Sequence, residues 1–113
     1  MLQFDAETAR RIEATYTTPD VVAQRREVRR LLAPRPGEHI VDIGAGPGFL
    51  AAEMAAEGAR VVAVEPSASM RELARARGVD FAIEDGSAEA LPLPDGAVDA
   101  AVATQVLEYV PDV

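Results

Sequence analysis

The sequence has no cysteine, no tryptophan and a single histidine, His39. Without cysteine there can be no disulfide, no thiolate metal site and no cysteine nucleophile. One histidine cannot build a His-based metal cluster, so no metal site is expected. Aromatic residues make up only 4% of the chain, so any core must come from Ala, Val, Leu and Ile. No signal-peptide pattern is present, and no apolar run approaches the ~20 residues that a membrane-spanning helix needs. The expected location is cytoplasmic, with no membrane partner. Basic residues are also in the minority, 11 Lys and Arg against 19 Asp and Glu, for a net charge of −8. That balance argues against a nucleic-acid partner, which would need a basic face.

What is present suits a folded domain. The 113 residues are 49% hydrophobic and 27% charged, and a chain of this length can bury roughly two thirds of its unfolded surface around one core. Residues 5–16 and 20–33 have helical character. Asp5 can cap the first helix, and Thr18-Pro19-Asp20 supplies a cap followed by proline at a helix start. Val21, Val28, Leu31 and Leu32 form an apolar stripe. The arginines opposite, Arg25, Arg26, Arg29 and Arg30, suggest a solvated face. Pro34-Arg35-Pro36-Gly37 ends the second helix.

From residue 39 the pattern changes to short apolar runs alternating with helices. Strands are expected at 39–43, 60–65, 79–83 and 98–104. The helix at 49–57 ends at Gly58. The next helix ends at Gly78, and its start is capped by Ser67 or by Ser69, the latter in capping-box spacing with Glu72. Met70, Leu73 and Ala74 face inward. Apolar strands separated by helices predict an α/β fold, a parallel sheet flanked by helices.

The turn Val41-Asp42-Ile43-Gly44-Ala45-Gly46-Pro47-Gly48-Phe49-Leu50 joins a strand to a helix. Glycines at 44, 46 and 48 give G-x-G-x-G, tighter than the G-x-G-x-x-G of dinucleotide enzymes, and Asp42 precedes them. They let backbone approach a ligand where a helix start offers unpaired N–H groups. Such a turn on its own is also what any tight strand-to-helix junction needs. Glu65 ends the second strand, about twenty residues on, where an acid can accept both hydroxyls of a ribose. Taken alone, Glu65 could equally be a solvated strand-end carboxylate with little packing. The two features in one βαβ unit favour a nucleoside site.

Residues 39–113 resemble the class I S-adenosylmethionine-dependent methyltransferases, and most closely the branch of ubiquinone- and menaquinone-biosynthesis enzymes and arsenite methyltransferases. The resemblance rests on the glycine turn, A-V-E-P-S-A-S-M at 63–70, G-S-A-E-A-L-P-L-P-D-G at 86–96, V-D-A-A-V-A-T at 98–104, and the Q-V-L-E-Y-V-P-D that follows. It implies a Rossmann-like class I methyltransferase fold that ends after the fourth strand. An N-terminal helical cap at 1–38 would precede a cofactor-binding half-domain at 39–113.

The resemblance also implies that S-adenosylmethionine is the cofactor and that a small molecule accepts the methyl group. Asp42, Gly44, Ala45 and Gly46 would hold the methionine part. Glu65 would bind the ribose, with Pro66 and Met70 on the adenine, although Met70 is equally suited to core packing. Ser87 and Ala88 would meet the adenine edge, and Thr104 and Gln105 would lie beneath the sulfonium. Tyr16 and Arg25 could reach the cofactor carboxylate, although a solvated face accounts for Arg25 as well. The family often carries an acid where Ser87 stands. No catalytic base is identifiable.

The family's fifth to seventh strands have no counterpart in the sequence. The expectation is therefore an edge-exposed fourth strand, with self-association or a complementing chain. A non-catalytic half-domain that needs a partner is the alternative reading, and a nicotinamide or flavin oxidoreductase fits less well.

Overall fold

The computed structural model describes residues 6–78, 81–86 and 99–103. Two helices come first, α1 (Ala6–Tyr16) and α2 (Pro19–Leu32). The alternating units follow: β1 (His39–Ile43), α3 (Phe49–Ala56), β2 (Arg60–Val64), α4 (Ala68–Arg75), β3 (Ala82–Glu84) and β4 (Ala100–Val102). The strands form one sheet in the order β3-β2-β1-β4, and every pair is parallel. Parallel strands buried by crossover helices need continuous apolar runs, which His39-Ile40-Val41-Asp42-Ile43 and Arg60-Val61-Val62-Ala63-Val64 supply. Their register sets Ile40 against Val61 and Ile43 against Val64, so both strands end together at the edge where the turns emerge.

Side chains alternate across a sheet, and the core divides accordingly. On one face Ile40, Val61 and Ala63 pack with Leu50, Ala51 and Met54 of α3, joined by Val28 and Leu32 of α2. On the other, Val41, Ile43 and Val64 form a second cluster with Val62 and Ala103 beside it. Asp42 shares the face of Ile40 and lies 2% exposed.

The start of α2 follows the sequence reading. The Thr18 hydroxyl accepts the Val21 N–H, and Pro19 occupies the first turn. The helix ends at Leu32, with Ala33 in the left-handed region at φ 47° and its N–H bonded to Arg29 O. Asp5 and the 79–80 part of the expected third strand lie outside the described residues, and β3 runs through Glu84.

One open alternative is decided and two expectations are corrected. Ser67, not Ser69, caps α4: its hydroxyl accepts the Met70 N–H, while Ser69 sits inside the first turn and is buried. The Ser69–Glu72 spacing therefore has no capping role. Leu31 is 71% exposed rather than part of the buried stripe, because Val28 and Leu32 already fill the face turned to α3. The arginines are not one solvated face. Arg25 and Arg29, four residues apart, share the side facing α3. Arg25 is 8% exposed, its Nε within 3.0 and 3.1 Å of the two Glu53 carboxylate oxygens. Arg29 bonds Glu53 at 2.5 Å and Glu57 at 2.8 Å. Arg26 and Arg30 do point outward, Arg30 pairing with Glu27. Charges this close to the core are tolerated because each meets an opposite charge and hydrogen-bonding oxygens.

Candidate functional site

The site lies at the carboxyl ends of β1 and β2, where open α/β sheets hold ligands. As β1 ends, Gly44 and Ala45 both donate to Val64 O, at 2.8 and 3.1 Å, so the turn folds over the end of β2. Gly46 has φ 59°, a conformation that costs a side-chain-bearing residue energy. Gly48 caps α3 at φ 85°, and a Cβ placed there would come within 2.9 Å of the Ala74 Cβ. Here glycine answers both to backbone conformation and to the close approach of α4.

Glu65 follows β2 directly. Its N–H continues the sheet to Glu84 O at 3.0 Å. Its carboxylate is buried and ties two turns together: Oε1 accepts the Gly46 N–H at 2.8 Å, and Oε2 accepts the Ser67 N–H at 3.0 Å. The solvated strand-end reading is thereby excluded. A carboxylate has about four acceptor positions, so each oxygen keeps capacity for a further donor.

Asp42 adds a second acid. Its Oδ2 is fully buried and has no hydrogen-bond partner. Burial first, and the nearby charge of Glu65 second, push its carboxyl up to about 7. A buried acceptor without a donor is costly. With acceptor positions to spare, the Glu65 carboxylate fits the hydroxyls of a vicinal diol.

The N-terminal helices reach the same turn. Tyr16 and Phe49 stack with centroids 5.5 Å apart and planes 2° from parallel. The Arg25 guanidinium lies 4.9 Å from the Phe49 centroid and donates to Tyr16 O at 2.6 Å. Arg77 covers the Phe49 ring at 3.5 Å, donates to Pro47 O at 2.6 Å, and pairs with Glu13 at 2.5 Å.

Of the residues singled out from sequence, Asp42, Gly44, Ala45, Gly46 and Glu65 come together in this one corner. Pro66 is exposed, and Met70 is half-buried in the first turn of α4. Tyr16 and Arg25 lie against Phe49, at the start of α3. Ser87, Ala88, Thr104 and Gln105 lie outside the described residues. Sequence reasoning missed Phe49, Arg71 and Arg77. No spacing rule could pair Glu13 with Arg77 across 64 positions. Phe49, next to the last glycine of the turn, carried the only local signal. Among the described residues no group of acids or histidine could hold a metal, and no helix is long and apolar enough to cross a membrane.

A parallel sheet with a glycine turn after β1 and an acid after β2 defines a Rossmann-like α/β domain of the class I methyltransferase type. The chain belongs to the methyltransferase domain family, which it matches over residues 41–113. It is 49% identical over 78 residues to the ubiquinone/menaquinone biosynthesis C-methyltransferase of Rubrivivax gelatinosus, covering 66% of this chain and 30% of that relative. An S-adenosylmethionine-dependent methyltransferase structure from Mesorhizobium loti aligns with TM-score 0.64 and 29% identity, covering 77% of this chain and 40% of its own. A structure from Methanococcus maripaludis covers 100% of this chain and 56% of its own, with TM-score 0.73; at 23% identity it shows likeness of fold. The chain thus spans about a third of the length of the curated relative.

Proposed function

We propose that the protein takes part in S-adenosylmethionine-dependent methyl transfer to a small-molecule acceptor. The observation that carries this is the paired acid corner: Glu65 anchored by Gly46 and Ser67 N–H groups, with Asp42 Oδ2 unpartnered beside it. In this reading Glu65 accepts the ribose hydroxyls, and Asp42 with Gly44, Ala45 and Gly46 holds the methionine end. Pro66 and Met70 flank the adenine, Ser87 and Ala88 meet its edge, and Thr104 and Gln105 lie toward the sulfonium. Tyr16 and Arg25 close the site from the N-terminal side, as a helical cap at 1–38 over the cofactor-binding half at 39–113. A cytoplasmic setting belongs to the same proposal.

Bound S-adenosylmethionine supplies a methyl group already made electrophilic by its sulfonium. The residues of this chain then have little bond chemistry to perform. They fix the direction of the methyl group and hold the nucleoside still, which is where alignment gains its rate. The acceptor class is supported by the quinone-biosynthesis enzyme among the relatives.

Calorimetric titration of the folded protein tests the cofactor. S-adenosylmethionine or S-adenosylhomocysteine should bind more tightly than NAD; tighter NAD binding would overturn the assignment. A second reading, a cofactor-binding half-domain completed by another chain or copy, is favoured by β4, which pairs only with β1 among the described residues. Methyl transfer by the monomeric chain alone would rule that reading out.

A further inference from the structure

Arg71, in the second turn of α4, has no place in the contacts assigned so far, yet its side chain is only 16% exposed. Its Nη1 lies 2.8 Å from Glu65 O, 3.0 Å from Pro66 O and 3.2 Å from Asp85 Oδ1. Two consecutive carbonyls of the β2–α4 turn and the carboxylate following β3 thus share one guanidinium nitrogen. The Glu65 side chain leaves the same turn in the other direction, to the N–H groups of Gly46 and Ser67. Pro66 has no N–H and a fixed φ, so the segment has few ways to satisfy itself internally. Glu65 O is the part-buried one of the two carbonyls, and without Arg71 the turn would rotate it toward another donor. The Glu65 carboxylate, on the same residue, would turn with it.

We propose that Arg71 is a positioning residue for the nucleoside-binding carboxylate: by gripping Glu65 O, Pro66 O and Asp85 it sets the direction in which Glu65 presents its free acceptor positions to a vicinal diol. This rests on the reading of Glu65 as the ribose acceptor. Asp85 closes the brace, so β3 contributes to the site through Arg71 without touching the ligand.

A double-mutant cycle tests this, with S-adenosylhomocysteine as the probe and Glu65→Ala, Arg71→Met and their combination as the variants. Arg71→Met should weaken binding roughly tenfold when Glu65 is present and less than about twofold when it is absent, the mark of coupled neighbours. A loss of equal size in both backgrounds would overturn the proposal. Amide hydrogen exchange of the free protein gives a second readout. Exchange at Ser67 and Gly46 should quicken in Arg71→Met; unchanged rates there would show that Arg71 does not hold the carboxylate. If Arg71→Met fails to fold, Arg71→Gln takes its place, removing the charge that meets Asp85 and shortening the reach to the two carbonyls, and the same two outcomes apply. Absence of any binding by the unaltered protein would favour the half-domain that needs completion, and the exchange rates would then decide alone whether Arg71 positions Glu65.

Discussion

Asp42 and Glu65 are neighbouring acids with opposite circumstances. Glu65 has two N–H donors, whereas Asp42 has a buried oxygen with none, and its carboxyl is raised from 3.8 to about 7. A raised acid holds its proton longer in the folded chain than in the unfolded one. As pH climbs from about 4 to 7 the unfolded chain therefore ionises first, and the free protein loses stability over that window. At about 1.4 kcal/mol per unit of displacement, the loss is on the order of a few kcal/mol above pH 7. Asp42→Asn should remove it. Urea unfolding at pH 5 and pH 8 should show the variant gaining more on the parent at the higher pH than at the lower. A parallel pH response in both proteins would show that Asp42 is not the source.

Glu65→Ala should weaken cofactor binding by roughly 1–3 kcal/mol, the range for losing a charged acceptor. It should also lower unliganded stability by a similar amount, because the Gly46 and Ser67 N–H groups lose their acceptor. From sequence alone a strand-end acid suggests little effect on stability; the two backbone donors reverse that expectation. Thermal unfolding without ligand separates the two outcomes.

At the level of elements, the close approach of α3 and α4 depends on Gly48. Gly48→Ala would bring a Cβ to 2.9 Å from the Ala74 Cβ and 3.2 Å from its Cα, at a backbone φ of 85°. Steric overlap and strain combine, so the variant should lose roughly 2 kcal/mol or more, measurable as a lower denaturant midpoint. The turn, both central strands and α3 were legible in the sequence because local rules fix them: β-branched runs, glycine spacing, Gly58 and Gly78 as stops. The Thr18-Pro19 start of α2 was legible for the same reason. The cap of α4 was not, because Ser67 and Ser69 satisfy the same statistics and only the path of the chain out of β2 chooses between them. Arg25 was misjudged on similar grounds. By local rules a helical arginine is solvent-bound, and only Glu53, 28 positions away, draws Arg25 inward. The acids Asp42 and Glu65 were visible as types at a spacing, but the Gly46–Glu65 bond that joins them to one corner is tertiary.

For the molecule as a whole, the sheet order leaves β4 with a single strand neighbour among the described residues. Ala100-Ala101-Val102 carries no charge to discourage pairing by another chain. The 113-residue chain should therefore self-associate at micromolar concentrations, a shift that sedimentation velocity would register; a single monomeric species across a hundredfold dilution series would contradict it.

The stacked pair of Tyr16 and Phe49 gives the molecule a property unrelated to catalysis. With two tyrosines and no tryptophan in the chain, no indole absorbs the excitation or quenches phenol emission by energy transfer. Tyr16 lies face to face with Phe49 at the junction of α1 and the glycine turn, with the Arg77 guanidinium also against that phenylalanine. Its ultraviolet fluorescence should change in lifetime and anisotropy when the N-terminal helices lift away. The protein thus carries an intrinsic optical gauge of their docking, readable without a dye or an introduced label.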